Sequence, residues 1–234
     1  MTAKQPIAIG GIPAVLWGPS TGKLFIAVHG AQSHKDDTVI AILAEEALQK
    51  GHQVLSFDLP GHGDQRNEPR LCGPQNCVED LGKIMHYART ITGDISLFGC
   101  SLGAYFGMLA CKDISLRQAL FLSPVVDMRR ILHQMMARFD ISEQRLKAEK
   151  EIVTPASTLY WDDYQYVLKH PVLWDTPTAI LYGAQDDLCE FAYVKRFAEN
   201  TRADFTILEN CGHYFHTKEH LAVYRGWLAE KIYS

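Results

Sequence analysis

The chain has 234 residues, enough for one domain with a large core and a modest insertion. Its 23 Lys and Arg against 27 Asp and Glu leave a formal net charge of −4 with no basic run, which argues against a nucleic-acid or anionic-membrane surface. No apolar stretch approaches the ~18 residues of a membrane span, and the opening MTAKQPIAIGG lacks the basic-then-apolar layout of a secretion signal, so a cytoplasmic protein is expected. The six cysteines are scattered rather than spaced as a framework and read as reduced thiols, although Cys72 and Cys77 share one polar loop.

In chain order, GPSTGK at 18–23 resembles a phosphate loop but is one residue short and precedes a strand rather than a helix. That strand spans 24–28. A helix follows over 38–48, with Ser33 and Asp36 placed as a capping box ahead of it. Residues 54–58 form the next strand, and Pro60-Gly61-His62-Gly63 a turn. A helix over 78–90 leads to a buried strand at 95–98, a helix at 102–110 and a strand at 119–122. Strand 179–182, helix 190–198 and strand 205–208 precede a closing helix with Leu221, Tyr224, Leu228 and Ile232 on one face. This alternation predicts an α/β fold, a mostly parallel twisted sheet with helices on both faces. Sites in such folds form at the carboxyl ends of strands.

The alternation stops between 127 and 174, where no strand is evident. Met128, Ile131, Leu132, Met135, Met136 and Phe139 recur at amphipathic helical spacing. A charged run, SEQRLKAEKE, and an aromatic patch including Tyr160, Trp161 and Tyr164 follow. These residues predict a small helical cap, 127–174, inserted within a single domain of 1–234. An insertion here would lie over the carboxyl ends of the strands. Its Met and aromatic content suits an apolar acyl or aryl pocket, with Met135 and Trp161 as pocket candidates. The plainer reading is that these side chains only pack the insertion onto the body.

Gly99-Cys100-Ser101-Leu102-Gly103 matches G-x-S-x-G, the elbow that presents a nucleophilic serine between a strand and a helix. A turn this tight leaves no room for a Cβ two residues to either side of the serine and strains the serine backbone. Gly103, Gly107 and Cys111, four apart, give the following helix a small face for close approach to the sheet. A serine hydroxyl needs a base, and the base needs a carboxylate to set its tautomer. Among ten histidines, His213 follows strand 205–208 in a loop opened by Gly212. His216 and His220 continue an H-x-x-H-x-x-x-H pattern that raises a zinc reading, though zinc would leave the serine elbow unexplained. For the acid, Asp186 follows strand 179–182 through Gly183-Ala184-Gln185. Asp187 is nearer the next helix, where a carboxylate caps, and Asp127 is the outside candidate. The backbone N–H groups of Leu102 and of Ala31, beyond Gly30, are the expected oxyanion donors.

Along almost its whole length the chain resembles the α/β-hydrolase superfamily. The resemblance runs from His29-Gly30 through Asp58-Leu59-Pro60-Gly61-His62-Gly63, Gly99 to Gly103 and Gly183 to Asp186, to Gly212-His213. It implies Ser101 as nucleophile, Asp186 as acid, His213 as base and the Ala31 and Leu102 amides as oxyanion hole. The HGAQSHKDD and FDLPGHGD stretches are similar to small capped carboxylesterases, including bacterial cinnamoyl and feruloyl esterases. The expectation is a serine hydrolase acting on small acyl or aryl esters, with no cofactor, no metal, and no nucleic-acid or membrane partner. A thioesterase, acyltransferase, peptidase or C–C bond hydrolase on the same triad, or a silent ligand-binding protein, is the alternative.

Overall fold

A computed structural model describes residues 3–233. Eight strands form one sheet, in the order β1 (Lys4–Ile9), β2 (Ile12–Trp17), β4 (Gln53–Phe57), β3 (Lys23–Val28), β5 (Asp94–Cys100), β6 (Ala119–Leu122), β9 (Thr178–Gly183) and β10 (Asp204–Leu208). From β4 to β10 every neighbouring pair is parallel, while β2 runs antiparallel to both β1 and β4. The parallel strands are connected through helices α1 (Thr38–Gln49), α2 (Pro74–Ile91), α3 (Leu102–Ala110) and α7 (Phe191–Thr201), with α8 (Lys218–Lys231) closing the chain.

The pleat decides which helices each strand meets. In β3, Leu24, Ile26 and Val28 face a core shared with Leu81, Ile84 and Met85 of α2 and Met108 of α3. Phe25 and Ala27 point the other way, onto Leu43 and Ala47 of α1 and Tyr224 and Leu228 of α8. Both faces are covered, so these strands read as continuous apolar runs rather than alternating ones.

Between β6 and β9 lie α4 (Met128–Arg138), α5 (Glu143–Glu149), β7 (Glu151–Val153), β8 (Thr158–Tyr160) and α6 (Trp161–Lys169). Here the structure corrects the expectation of a strandless segment, because β7 and β8 pair as an antiparallel hairpin. The segment has its own apolar cluster of Met136, Ile141, Leu146, Ile152, Leu159 and Tyr164. The charged run becomes α5, capped by Ser142, with Leu146 as its one buried residue.

Two capping expectations are also corrected. Asp37, not a Ser33–Asp36 box, caps α1: its Oδ1 accepts the Ile40 N–H at 3.0 Å, and Ser33 Oγ donates to its other oxygen. Asp187 does not cap α7, whose N-cap position is Glu190. Among the described residues no helix is long and apolar enough to cross a membrane.

Candidate active site

The last residues of β5 lead into a sharp turn at Ser101, which has φ 50° and ψ −116°. A non-glycine residue held there costs about 1–3 kcal/mol of backbone strain, supplied by the packing around it. The two glycines are required by that packing. A Cβ at Gly99 would sit 2.5 Å from Ala104 Cα, and one at Gly103 would run into the Val28 carbonyl of β3. A Cβ at Gly107 would meet the Leu97 side chain of β5 at 2.9 Å, so α3 lays its small face on the sheet.

Three loops at the carboxyl ends of β5, β9 and β10 bring Ser101, Asp186 and His213 together. His213 Nε2 lies 2.9 Å from Ser101 Oγ, and His213 Nδ1 lies 2.8 Å from Asp186 Oδ2. The His213 and Asp186 side chains are almost wholly buried. Asp186 is held from its other oxygen, where Oδ1 accepts the N–H groups of Leu188 (2.9 Å) and Cys189 (2.8 Å). A carboxylate with that many fixed donors turns one face to the imidazole and cannot rotate away. Of the other acids considered, Asp187 is exposed, and Asp127 caps α4 by accepting the Arg130 N–H at 2.9 Å.

The zinc pattern does not converge on one point. His216 Nδ1 is engaged by Tyr214 O, and His220 by Asn210 O and the Cys211 sulfur. Among the described residues the ligand-type atoms that do approach one another, within 4.8 Å, are those of Asp186, Cys189 and His213. Burial pushes the Cys189 thiol up, away from the thiolate a metal needs, and its sulfur sits 3.9 Å from Ser123 O.

The loop after β3 carries Ala31. His29 is buried, and its Nδ1–H donates to Gly30 O (2.7 Å) while its Nε2 accepts the Leu59 N–H (3.0 Å). Burial lowers its pKa to about 4, so the ring is neutral at ordinary pH. Further along the same loop, Lys35 donates from both N and Nζ to the fully buried Asp58 carboxylate. The loop is thus tied at two points to the strand end at Asp58-Leu59, with Ala31 between them. The Leu102 amide opens α3, where first-turn N–H groups have no acceptor within the helix.

Ser101, Ala31, Leu102 and His213 all line a cavity of about 830 Å³. One side is formed by Met128, Ile131, Leu132 and Met135 of α4 with Asp163 and Val167 of α6; the other includes Thr38, Val39, Tyr214 and His216. Met135 is therefore on the wall, as the sequence suggested. Trp161 is not. It heads α6, stacks obliquely on Tyr164 (centroids 5.8 Å apart) and lies beneath the ammonium groups of Lys147 and Lys150. The phase of α6 turns 163 and 167 to the cavity and 161, 164 and 168 to the insertion's own cluster. Among the cavity residues that the sequence did not place there are Cys72 and Asp163. Burial raises the Asp163 pKa to about 6. Neither sits in a motif: Cys72 lies in the loop before α2, and finding Asp163 required knowing which face of α6 looks down.

The alpha/beta hydrolase family model matches residues 25–225. The chain belongs to that family and is a hydrolase by that membership. Est1E from Butyrivibrio proteoclasticus, solved with ferulic acid bound, superposes with a TM-score of 0.74 at 19% identity, over 97% of this chain and 96% of that one. Mouse alpha/beta hydrolase domain-containing protein 10 gives 0.78 at 13% identity over 97% of each chain. A Pyrococcus furiosus esterase gives 0.68 at 15%, over 98% of this chain and 90% of that one. At these identities the likeness is one of fold. A search of curated proteins finds no match to the sequence.

Proposed function

We propose that the protein is a serine hydrolase that cleaves small acyl or aryl esters through an acyl-enzyme intermediate. The observation that carries this reading is the unbroken line of hydrogen bonds from Ser101 Oγ through His213 to Asp186. In the first half-reaction Ser101 Oγ attacks the ester carbonyl carbon as its proton passes to His213 Nε2. Asp186 holds the ring in the Nδ1–H tautomer and stabilises the imidazolium that forms. The carbonyl oxygen, now negative, is taken by the Ala31 and Leu102 amides. Collapse breaks the C–O bond, and His213 gives its proton to the leaving alcohol. Water then repeats the sequence on the acyl-serine and releases the acid.

Residues 127–174 act as a cap in this reading, with α4 supplying a methionine-rich wall that adapts to apolar groups. Esters are favoured over peptides because the cavity walls are mainly apolar side chains. The esterase from Pyrococcus furiosus and the ferulic acid held by Est1E point the same way for the fold. Six free thiols suit a cytoplasmic setting.

The test is turnover of acyl esters, aryl esters, thioesters and peptides by purified protein and by Ser101→Ala. The substitution should lower kcat on the preferred ester by ~10⁴–10⁶ with little change in substrate affinity. Retention of more than about a tenth of the activity would remove Ser101 from the chemistry.

A further inference from the structure

Cys72 and Cys77 stand apart from the other four thiols. Cys100, Cys111, Cys189 and Cys211 are each pushed up by burial and are inert as nucleophiles. Cys72 instead opens onto the cavity that holds Ser101, just ahead of the Gly73 N-cap of the 18-residue helix α2. Cys77 lies one turn into that helix, buried in the core, with its sulfur 3.6 Å from that of Cys72. The ring of His62, whose Nδ1 lies 2.9 Å from Pro60 O, stands near enough to the Cys72 thiol for Cys72 to raise the His62 pKa. Asp163 of α6 closes the group from above, its carboxylate resting against Gly73.

We propose that Cys72 and Cys77 form a peroxide-sensitive dithiol on the wall of the active-site cavity, which closes to a disulfide and lowers ester turnover. The geometry meets each requirement of that chemistry. The sulfurs are in contact, one is reached through a cavity built to admit small molecules, and a histidine stands beside it to stabilise the thiolate. The Cys77 sulfur and the nearby His62 ring hold the Cys72 thiol below the usual range against its burial, while burial holds the Cys77 thiol high. Cys72, which opens onto the cavity, takes the role of attacking thiol, and Cys77, buried behind it, that of resolving thiol.

The oxidant is a hydroperoxide. The Cys72 thiolate attacks its terminal oxygen, the O–O bond breaks, and the other oxygen leaves with a proton as an alcohol, or as water when the oxidant is hydrogen peroxide. Cys77 sulfur then attacks the Cys72 sulfenic acid, the S–S bond forms, the S–O bond breaks, and hydroxide leaves as water with the Cys77 proton. Two thiols have lost two electrons and two protons, and one peroxide has been reduced. The pair moves together by more than 1 Å, from 3.6 Å to bonding distance, and the negative charge facing Asp163 disappears. Both changes occur on the wall shared with substrate.

The link to ester turnover rests on the proposed function, whereas disulfide formation does not, so the experiment reads them separately. Full-length protein, Cys72→Ser and Cys77→Ser are exposed to hydrogen peroxide, then unfolded and alkylated with N-ethylmaleimide so that every free thiol reacts, digested without reduction and analysed by mass spectrometry. Aryl-ester turnover is followed before oxidation, after it, and after dithiothreitol. The expected result is loss of two hydrogens and of both alkylation sites at Cys72 and Cys77, ahead of any change at the other four thiols. Turnover should fall several-fold and return with dithiothreitol. Cys77→Ser should stop at a Cys72 sulfenic acid that dimedone traps, and Cys72→Ser, compared with its own untreated turnover, should lose none of it to peroxide. Alkylation of both cysteines after peroxide, or earlier oxidation of another thiol, would overturn the site. A disulfide that leaves ester turnover unchanged would overturn the switch. A protein without esterase activity that still forms the disulfide would contradict the proposed function and the switch but leave the dithiol site standing.

Discussion

His213 can serve Ser101 in only one tautomer, with the proton on Nδ1 and a free lone pair on Nε2, and Asp186 selects it from 2.8 Å. Asp186→Asn should therefore lower kcat by ~10³–10⁴, because the amide can donate to Nδ1 and hold the ring the wrong way round. Asp187→Asn, at an exposed site, should be nearly silent, and Asp127→Ala should cost about 1 kcal/mol of stability through the lost α4 cap. Kinetics and thermal melts on the three variants check the assignment, which fails if Asp187 or Asp127 carries the larger kinetic effect. His29 is fixed in a similar way, but for structure. Protonating it would aim a second N–H at the Leu59 N–H, which already occupies Nε2. With a pKa near 4 when folded and about 6.5 when unfolded, the unfolded chain binds the extra proton first as pH falls. Stability is then unaffected above pH ~6.5, declines between ~6.5 and ~4, and levels off below, a total of roughly 3 kcal/mol. Denaturant melts of the wild type and His29→Asn across this range should differ in slope, the variant being flatter. Equal slopes would mean that another group carries the acid sensitivity.

At the scale of elements, the site is built from the ends of β3, β5, β9 and β10, and these were the most legible parts of the chain. Gly99 and Gly103 could be read because a tight turn leaves no space for any larger residue, and the structure shows the atoms that fill it. The 95–98, 119–122 and 179–182 strands were readable as short apolar runs between turn residues. The β1–β2 hairpin was not, because Pro6 and Pro13 interrupt it and β2 is apolar throughout rather than alternating. The β7–β8 pair is three residues to a strand, too short for a period to register. Helix phase was the other missing quantity. It left Trp161 and Met135 equivalent in the sequence, whereas the structure puts only Met135 on the cavity wall. Met135→Ala should thus change kcat/KM between large and small esters by about 1–3 kcal/mol. Trp161→Ala should loosen the insertion and act alike on both. A substrate comparison on the two variants separates these outcomes, and a size-dependent effect confined to Trp161→Ala would refute the wall described here.

On the scale of the whole molecule, one parallel sheet with both faces covered gives a rigid platform, and everything chemical gathers at its carboxyl edge. The insertion carries its own small core, so it can hold α4 over that edge without disturbing the sheet beneath. That division of labour allows the wall to vary while Ser101, Asp186 and His213 stay fixed. Under the proposed function, the choice of ester falls to the insertion, the part least legible from sequence, since its wall depends on side chains from helices whose relative rotation no local pattern sets. The chemistry, in contrast, depends on whether Ser101 is activated in the folded protein. A fluorophosphonate probe reads this directly, because it bonds only to a serine whose proton has somewhere to go. Incubated with the intact protein, it is expected to label once, on Ser101, with labelling absent in Ser101→Ala and slowed by ~10³ or more in His213→Gln. No labelling of the wild type, or labelling that survives Ser101→Ala, would contradict the serine hydrolase reading.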